Sequence, residues 1–316
     1  MHIKLPLIFL KNITKKIMIK DQLSWEEFFK NSPKNRKVNE VKSFNRLIAH
    51  TKNLFIISGY GAFTKGYLIV ITKDYLPSFG LIENKNLDEL NFIIKICKKS
   101  IEEEYNRKFV MFEHGMCACV GGLDRAHLHL MSVNNKTDNN SINIAIEKSL
   151  FNRKAGVKSI IFKGHKLENI HDINQLYEEA ITDKKNYQIK GELLKLKDIQ
   201  NLHHEGWPTI TFKHISKGGH YVFFRSEYDE SSFLTTNNFQ TQLGREIVYH
   251  NELETDKNFK QEMERLNKNK FLNTWQWQNF MFEENIIETI ETGKKSLKNF
   301  ENLYKDEYKK FELEVF

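Results

Sequence analysis

The chain of 316 residues has only three cysteines, four prolines and no apolar run long enough to cross a membrane. A small, odd number of cysteines in a chain of this length argues against a disulfide framework and favours a reducing compartment. The N-terminal apolar stretch, residues 5–10, is shorter than a signal-peptide core, and no small-residue cleavage site follows it. We therefore expect a cytoplasmic protein that contacts no membrane, with Met18 as an alternative start of translation.

Acidic residues are fewer than basic ones, which gives the chain a net charge of +7 and a pI near 9.0. A basic surface attracts acidic partners, so nucleotides and RNA are the expected ligand classes, although charge argues for association and not for chemistry. The hydrophobic fraction of 40% and the charged fraction of 28% are ordinary for a globular protein. A chain of this length is expected to form about two domains.

The most informative stretch is residues 125–133, in which histidine and leucine alternate before a methionine. A period of two is typical of a β-strand and places His127, His129, Met131 and Val133 on one face. The two imidazoles are then roughly 7 Å apart along that face. Their spacing alone leaves two interpretations open, a satisfied polar pair or half of a metal site.

Three further elements are predicted upstream of this strand. Residues 54–75 are expected to form two strands joined by a glycine-containing turn. Residues 86–105 repeat apolar side chains every three or four positions, which is typical of an amphipathic helix, and Asn86 is the expected N-cap. A third strand then leads through a glycine-bearing loop into the histidine strand. The predicted order is strand, strand, helix, strand, histidine strand.

This order, the paired histidines and the preceding Glu113-His114-Gly115 segment resemble the histidine-triad (HIT) superfamily over residues 50–135. The resemblance implies an α+β fold in which an antiparallel sheet carries the 86–105 helix packed on it. In the family the strand has a third histidine, or a glutamine in some branches. This chain has Met131 at that position.

The resemblance also implies a chemistry. His129 would be the nucleophile that attacks the α-phosphate of a nucleotide to form a nucleotidyl-imidazole, and a backbone carbonyl or His127 would orient it. Backbone N–H groups near Gly121 and Gly122 would stabilise the developing phosphoryl charge. Asp124, in the same loop, is either a nucleotide contact or a turn residue. The implied activity is that of a nucleotide hydrolase or nucleotidyltransferase without a cofactor.

Two departures from the family pattern favour a different function, a catalytically degenerate protein that binds a nucleotide or RNA without turnover. The thioether of Met131 donates no hydrogen bond, so it cannot replace the third motif residue beside the phosphate. The acidic residue with which HIT hydrolases bind ribose falls near Gly59. The intact pair of histidines favours the enzyme.

A segment of the C-terminal half supplies further candidates. Residues 239–248 are predicted to form a helix with Gln242 and Arg245 on one face, and they resemble the C-terminal part of CwfJ-type proteins, a HIT branch linked to RNA processing. Both side chains are candidates for phosphate binding, since a guanidinium fork suits phosphate oxygens. The alternative for Arg245 is an ion pair with Glu246 or another carboxylate.

The chain is expected to divide into an N-terminal helical extension at 1–49, a HIT-like domain at 50–140 and a C-terminal α+β region at 141–316. The C-terminal region includes two strands predicted at 209–212 and 220–225 that pair with each other, and it is interpreted as a degenerate second HIT-like half. Because HIT domains commonly pair, a homodimer is the alternative arrangement.

The side chains of His114, Cys117, Cys119 and His127 are of the kinds that bind zinc. Structural zinc ligands, however, usually come as cysteines two residues apart, and this Cys-x-Cys has neither that gap nor a second cysteine pair. We therefore expect no metal site.

Overall fold

The computed structural model describes residues 46–74, 76, 79, 82, 84–115, 126–151, 221–226, 233–235, 242–268 and 274–316. The predicted strand at 209–212 and residues 1–45 of the predicted N-terminal extension lie outside these ranges. None of the helices in the described ranges is long and apolar enough to span a membrane.

One antiparallel sheet forms the centre of the protein, and its strands follow the spatial order β7-β6-β4-β5-β3-β2-β1-β8. The strands are β1 Leu47–His50, β2 Leu54–Ser58, β3 Leu68–Thr72, β4 Lys108–Gly115, β5 His127–Val133, β6 Tyr221–Ser226, β7 Phe233–Thr235 and β8 Glu314–Val315. Together with the helices the sheet makes an α+β fold, as expected. The strands of the predicted HIT-like part do not follow one another across the sheet, because β5 lies between β3 and β4.

Helices cover both faces of the sheet. They are α1 Leu87–Tyr105, α2 Asn139–Phe151, α3 Leu243–Thr255, α4 Phe259–Leu266, α5 Glu283–Phe300 and α6 Lys305–Lys310. The side chains of α2, α3 and α4 form one hydrophobic cluster with the face of the sheet that carries Met131. Those of α1 and α5 form a second cluster on the opposite face, which carries Leu128 and Leu130.

The α1 helix matches the predicted helix within one residue. Its buried side chains, among them Leu90, Ile93 and Ile101, recur at helical spacing, so the apolar stripe identified in the sequence faces the sheet. Asn86 lies at the N-cap position, but its side chain makes no capping hydrogen bond there. The helix ends at Tyr105. The next residue, Asn106, has a left-handed backbone conformation, which asparagine adopts more readily than most other residues.

The described strands that follow residue 141 join the sheet formed by the strands of residues 46–133. The strand predicted at 220–225 is confirmed as β6, and it pairs with β4 on one side and β7 on the other. The short β8 extends the opposite edge by pairing with β1. The predicted boundary at residue 140 therefore does not divide the sheet, and the described strands of the second half extend this sheet instead of forming one of their own.

Buried polar side chains fix the α3 helix against the end of the sheet. Glu252, fully buried on α3, accepts a hydrogen bond from the backbone N–H of Asn134 at 2.8 Å and forms an ion pair with Arg107. Burial raises the pKa of Glu252, and the Arg107 guanidinium opposes that rise. Breaking one side of a buried ion pair leaves an uncompensated charge, so these contacts hold the helix in place.

Candidate functional site

The histidine strand β5 has the two faces that its alternation predicts. His127, Met131 and Val133 are buried on one face, together with a partly exposed His129, and Leu128 and Leu130 are buried on the other. The strand is central, with β3 and β4 as its two neighbours. The backbone of both histidines is therefore held on both sides by the sheet.

The imidazole of His129 is held by two aromatic rings and one hydrogen bond. Its Nδ1 atom lies 2.6 Å from the hydroxyl oxygen of Tyr67. It stacks on Phe112, with ring centroids 4.6 Å apart and an interplanar angle of 14°. A short bond on one nitrogen and a stacked ring leave the imidazole little rotational freedom, so the direction of Nε2 is also fixed.

The environment keeps His129 uncharged. Burial lowers the pKa of this imidazole well below its usual value of 6.5, and the neighbouring imidazoles and the Arg245 guanidinium lower it further. Burial raises the pKa of Tyr67, against a smaller opposing effect of Arg245, so the phenol is also neutral near pH 7. The pair is a neutral imidazole bonded to a neutral phenol.

The hydrogen-bond partner of His129 Nδ1 is Tyr67, whereas the resemblance had implied a backbone carbonyl or His127. His127 is 5% exposed, and its ring centroid lies 4.9 Å from that of His129 at an angle of 73°. The edge-on imidazole packs against His129, whereas the hydrogen-bond partner of Nδ1 is the phenol oxygen of Tyr67. Sequence reasoning missed Tyr67 because it immediately precedes β3, far from His129 in the sequence, and approaches His129 only because β3 pairs with β5.

Gly59 leaves no room for a side chain, and therefore none for the acidic residue that the resemblance would place there. The ring of Tyr67 lies directly against this glycine, and a Cβ atom on residue 59 would be 2.4 Å from Tyr67 Cε1. Any side chain there would displace the ring that holds His129. The position of the Tyr67 ring therefore requires glycine at residue 59, and glycine carries no carboxylate.

Met131 belongs to the core. Its side chain is fully buried in the hydrophobic cluster that also contains Val110, its cross-strand partner on β4. The methionine at the third motif position therefore does not line an open site. As a candidate for nucleotide binding, Met131 is not supported, because its thioether is enclosed by apolar side chains of the core.

Arg245 lies in the first turn of α3, and its guanidinium packs over the Tyr67 ring at 5.5 Å from the ring centroid. Its Nη2 donates to the carbonyl of Gly61 at 2.7 Å and its Nε to the carbonyl of Trp275 at 3.1 Å. It is 3% exposed and forms no ion pair with Glu246, so the surface ion pair considered from the sequence is not formed.

Gln242 does not share a helix face with Arg245. It precedes α3 with a left-handed backbone, φ +76°, and its side-chain oxygen accepts the backbone N–H of Trp277 at 2.8 Å. The predicted helix at 239–248 therefore begins four residues later, and Gln242 serves to join the loop before α3 to the Trp277 turn. A role in phosphate binding is not supported by this contact.

The sequence did not predict that two further residues, His114 and Arg46, belong to the site. His114 on β4 accepts the N–H of Gly244 with its Nε2 at 3.4 Å, which ties the start of α3 to the sheet. Arg46, 3% exposed, donates to the Ser58 carbonyl at 2.7 Å. Burial lowers the pKa of Arg46 to about 10. No periodic pattern marks either residue, because both meet the site through tertiary packing.

The loop that precedes the histidine strand lies outside the described residues. It contains Gly121, Gly122, Asp124 and both cysteines of the Cys-x-Cys pair, so these predictions stay open. Among the side chains that the structure does describe, no three histidine, cysteine, aspartate or glutamate residues are arranged to hold a metal ion.

Comparison with known proteins gives little further information. No protein-family model matches the chain, and neither does any curated protein. Among solved structures, the chain is similar to a hypothetical protein from Leishmania major at 12% sequence identity and a TM-score of 0.27. The matched region covers 46% of this chain and 89% of that one. A likeness of this size carries no argument about the fold or the function, which rest on the residues described above.

Proposed function

We propose that this chain is a HIT-like nucleotide hydrolase or nucleotidyltransferase in which His129 attacks the phosphorus of a nucleotide. The observation that carries the proposal is the state of His129: a neutral, partly exposed imidazole with Nδ1 held by the Tyr67 hydroxyl. A nucleophilic imidazole needs a free lone pair on one nitrogen and a fixed tautomer through the other. Within the described residues, no hydrogen-bond partner occupies Nε2.

The roles of the neighbouring groups follow from this arrangement. For attack by Nε2, Nδ1 keeps its proton and donates a hydrogen bond to the Tyr67 oxygen, which stabilises the positive charge that forms on the imidazole. Attack forms a bond from Nε2 to phosphorus and breaks the bond to the leaving group. Water then attacks phosphorus and releases Nε2, or an acceptor hydroxyl does so in a transferase.

The alternative is a HIT-like protein that binds a nucleotide or RNA without turnover. It is favoured by the fully buried Met131, which supplies no third polar group, and by the absence of a carboxylate at Gly59. The net charge of +7 agrees with either function. A cytoplasmic location and a homodimer remain proposals based on the cysteine content and on the family resemblance.

A substrate screen separates the two functions. The full chain and its His129→Asn variant are incubated with dinucleoside polyphosphates, nucleoside phosphoramidates, nucleotide sugars and adenylylated nucleic-acid ends. The enzyme predicts turnover of at least one class, lost in the variant while ligand binding persists. Binding without turnover of any class by the wild-type chain supports the binding protein instead.

A further inference from the structure

The guanidinium of Arg245 is buried and has no counter-ion among the residues that the structure describes. Its described partners are the carbonyls of Gly61 and Trp275 and the rings of Phe63 and Tyr67. These groups accept hydrogen bonds or pack against the cation, but none carries a negative charge. Its Nη1 atom is shielded from solvent and has no hydrogen-bond partner among the described residues.

A buried, unpaired charge is costly, and proteins usually pair it or bind an ion of opposite sign. Within the described part of the chain, no carboxylate contributes to the electrostatic environment of Arg245, and the partner that stabilises its charge there is Tyr67. The positive potential instead acts on His129. Arg245 therefore places a positive charge near the imidazole and has one donor without a described partner.

The amino end of α3 adds to this potential. Amide groups in the first turn of a helix have no intrahelical acceptor and carry partial positive charge, and in α3 the N–H of Gly244 is the one already donated to His114 Nε2. Gly244, in that turn, lies so close to the Phe112 ring that a Cβ atom would be 2.3 Å from a ring carbon. Since Phe112 also stacks on His129, the helix start and the imidazole contact the same ring.

We propose that Arg245 and the amino end of α3 form an anion subsite that binds an ionised phosphoryl group beside His129. A guanidinium fork matches phosphate oxygens, and helix amino ends bind phosphate through the same donors. The ligand class is a phosphate ester or anhydride with at least one charged oxygen. Because Nη1 is shielded, occupancy requires a local opening of the side chains that cover it. The subsite deepens the proposed function by naming the group through which the substrate is held.

The test uses inorganic phosphate as the probe and isothermal titration calorimetry on the full chain. Arg245→Gln removes the buried charge, and Arg265→Gln is the matched control, since Arg265 is an exposed arginine paired with Glu262 and Glu284. We expect saturable binding to the wild-type chain, about 10- to 100-fold weaker in Arg245→Gln, as for loss of a charged hydrogen bond. Binding to Arg265→Gln should match the wild type.

Two results would overturn the subsite: no saturable phosphate binding to the wild-type chain, or equal affinity in Arg245→Gln. If Arg245→Gln fails to fold, a phosphate titration of the wild-type chain followed by NMR replaces it. An anion beside the imidazole should raise the pKa of His129 and shift the Arg245 Nε resonance in step with occupancy. A titration that leaves both signals unchanged also refutes the proposal.

The subsite and the proposed function can fail separately. His129→Asn should still bind phosphate, because the anion is held by Arg245 and not by the nucleophile. Phosphate binding without His129-dependent turnover would retain the subsite and reject the enzyme. Turnover that depends on His129, without phosphate binding by Arg245, would retain the enzyme and reject the subsite.

Discussion

The hydroxyl group of Tyr67 offers the sharpest single-atom perturbation of the site. Tyr67→Phe keeps the ring that packs against Gly59 and removes only the oxygen that lies 2.6 Å from His129 Nδ1. A neutral hydrogen bond of this kind contributes a net stabilisation of about 0.5–1.5 kcal/mol, so the folded protein should persist. The imidazole, however, loses the group that fixes its tautomer.

We expect the rate of phosphoryl transfer to fall about tenfold in Tyr67→Phe, since about 1.4 kcal/mol of lost transition-state stabilisation corresponds to a factor of ten. Single-turnover kinetics measures this step without interference from product release. The ¹⁵N chemical shifts of His129 report the tautomer independently, and they should move towards a mixture of the two forms.

Tyr308→Phe is the matched control. The Tyr308 hydroxyl donates to the Leu297 carbonyl at 2.5 Å, and its ring belongs to the cluster on the opposite face of the sheet. This variant should lose a similar amount of stability without a change in rate. A wild-type rate and unchanged ¹⁵N shifts in Tyr67→Phe would refute the orienting role of the phenol.

Three further predictions concern stability. Gly244→Ala should destabilise the fold by about 1–3 kcal/mol in chemical denaturation, because its Cβ atom would overlap the Phe112 ring. Met131→His should cost about 1–3 kcal/mol by placing a polar ring in a fully buried position, and it should not raise activity. The folded-state pKa of His129 lies below its usual value of 6.5, so the unfolded chain binds this proton more tightly. Above pH 6.5, where the imidazole is neutral in both states, the contribution of His129 to the free energy of unfolding is fully retained. That free energy decreases as the pH falls from 6.5 towards the folded pKa, and His129→Asn should flatten its pH dependence over that range.

Periodicity predicted the parts of the fold that depend on one segment at a time. The alternation of residues 125–133 placed both histidines on one face of a strand, and the three-to-four spacing of residues 86–105 predicted α1. In each case the pattern is the direct consequence of one buried face. The α+β fold class followed from the order of these elements and their resemblance to the HIT pattern.

The site itself depends on contacts between distant segments, which a local pattern does not contain. Tyr67 and His129 meet because β3 pairs with β5 in one register, and a shift by one residue would turn the phenol away. Arg245 reaches the site only because α3 packs over the sheet. The sequence predicted Gln242 on a helix face. Glutamine rarely adopts a left-handed backbone, so the residue type gives no sign of the conformation found at this position.

The central claim, that His129 is the nucleophile, is tested most directly by trapping the intermediate. The full chain is mixed with a nucleotide substrate for which the screen has detected turnover, and the reaction is quenched within one turnover. The protein is then analysed by peptide mass spectrometry under conditions that preserve phosphoramidates. We predict a nucleotidyl group on His129 in the wild-type chain and none in His129→Asn, which should also lack turnover. A nucleotidyl group on another residue, or wild-type turnover by His129→Asn, would contradict the claim.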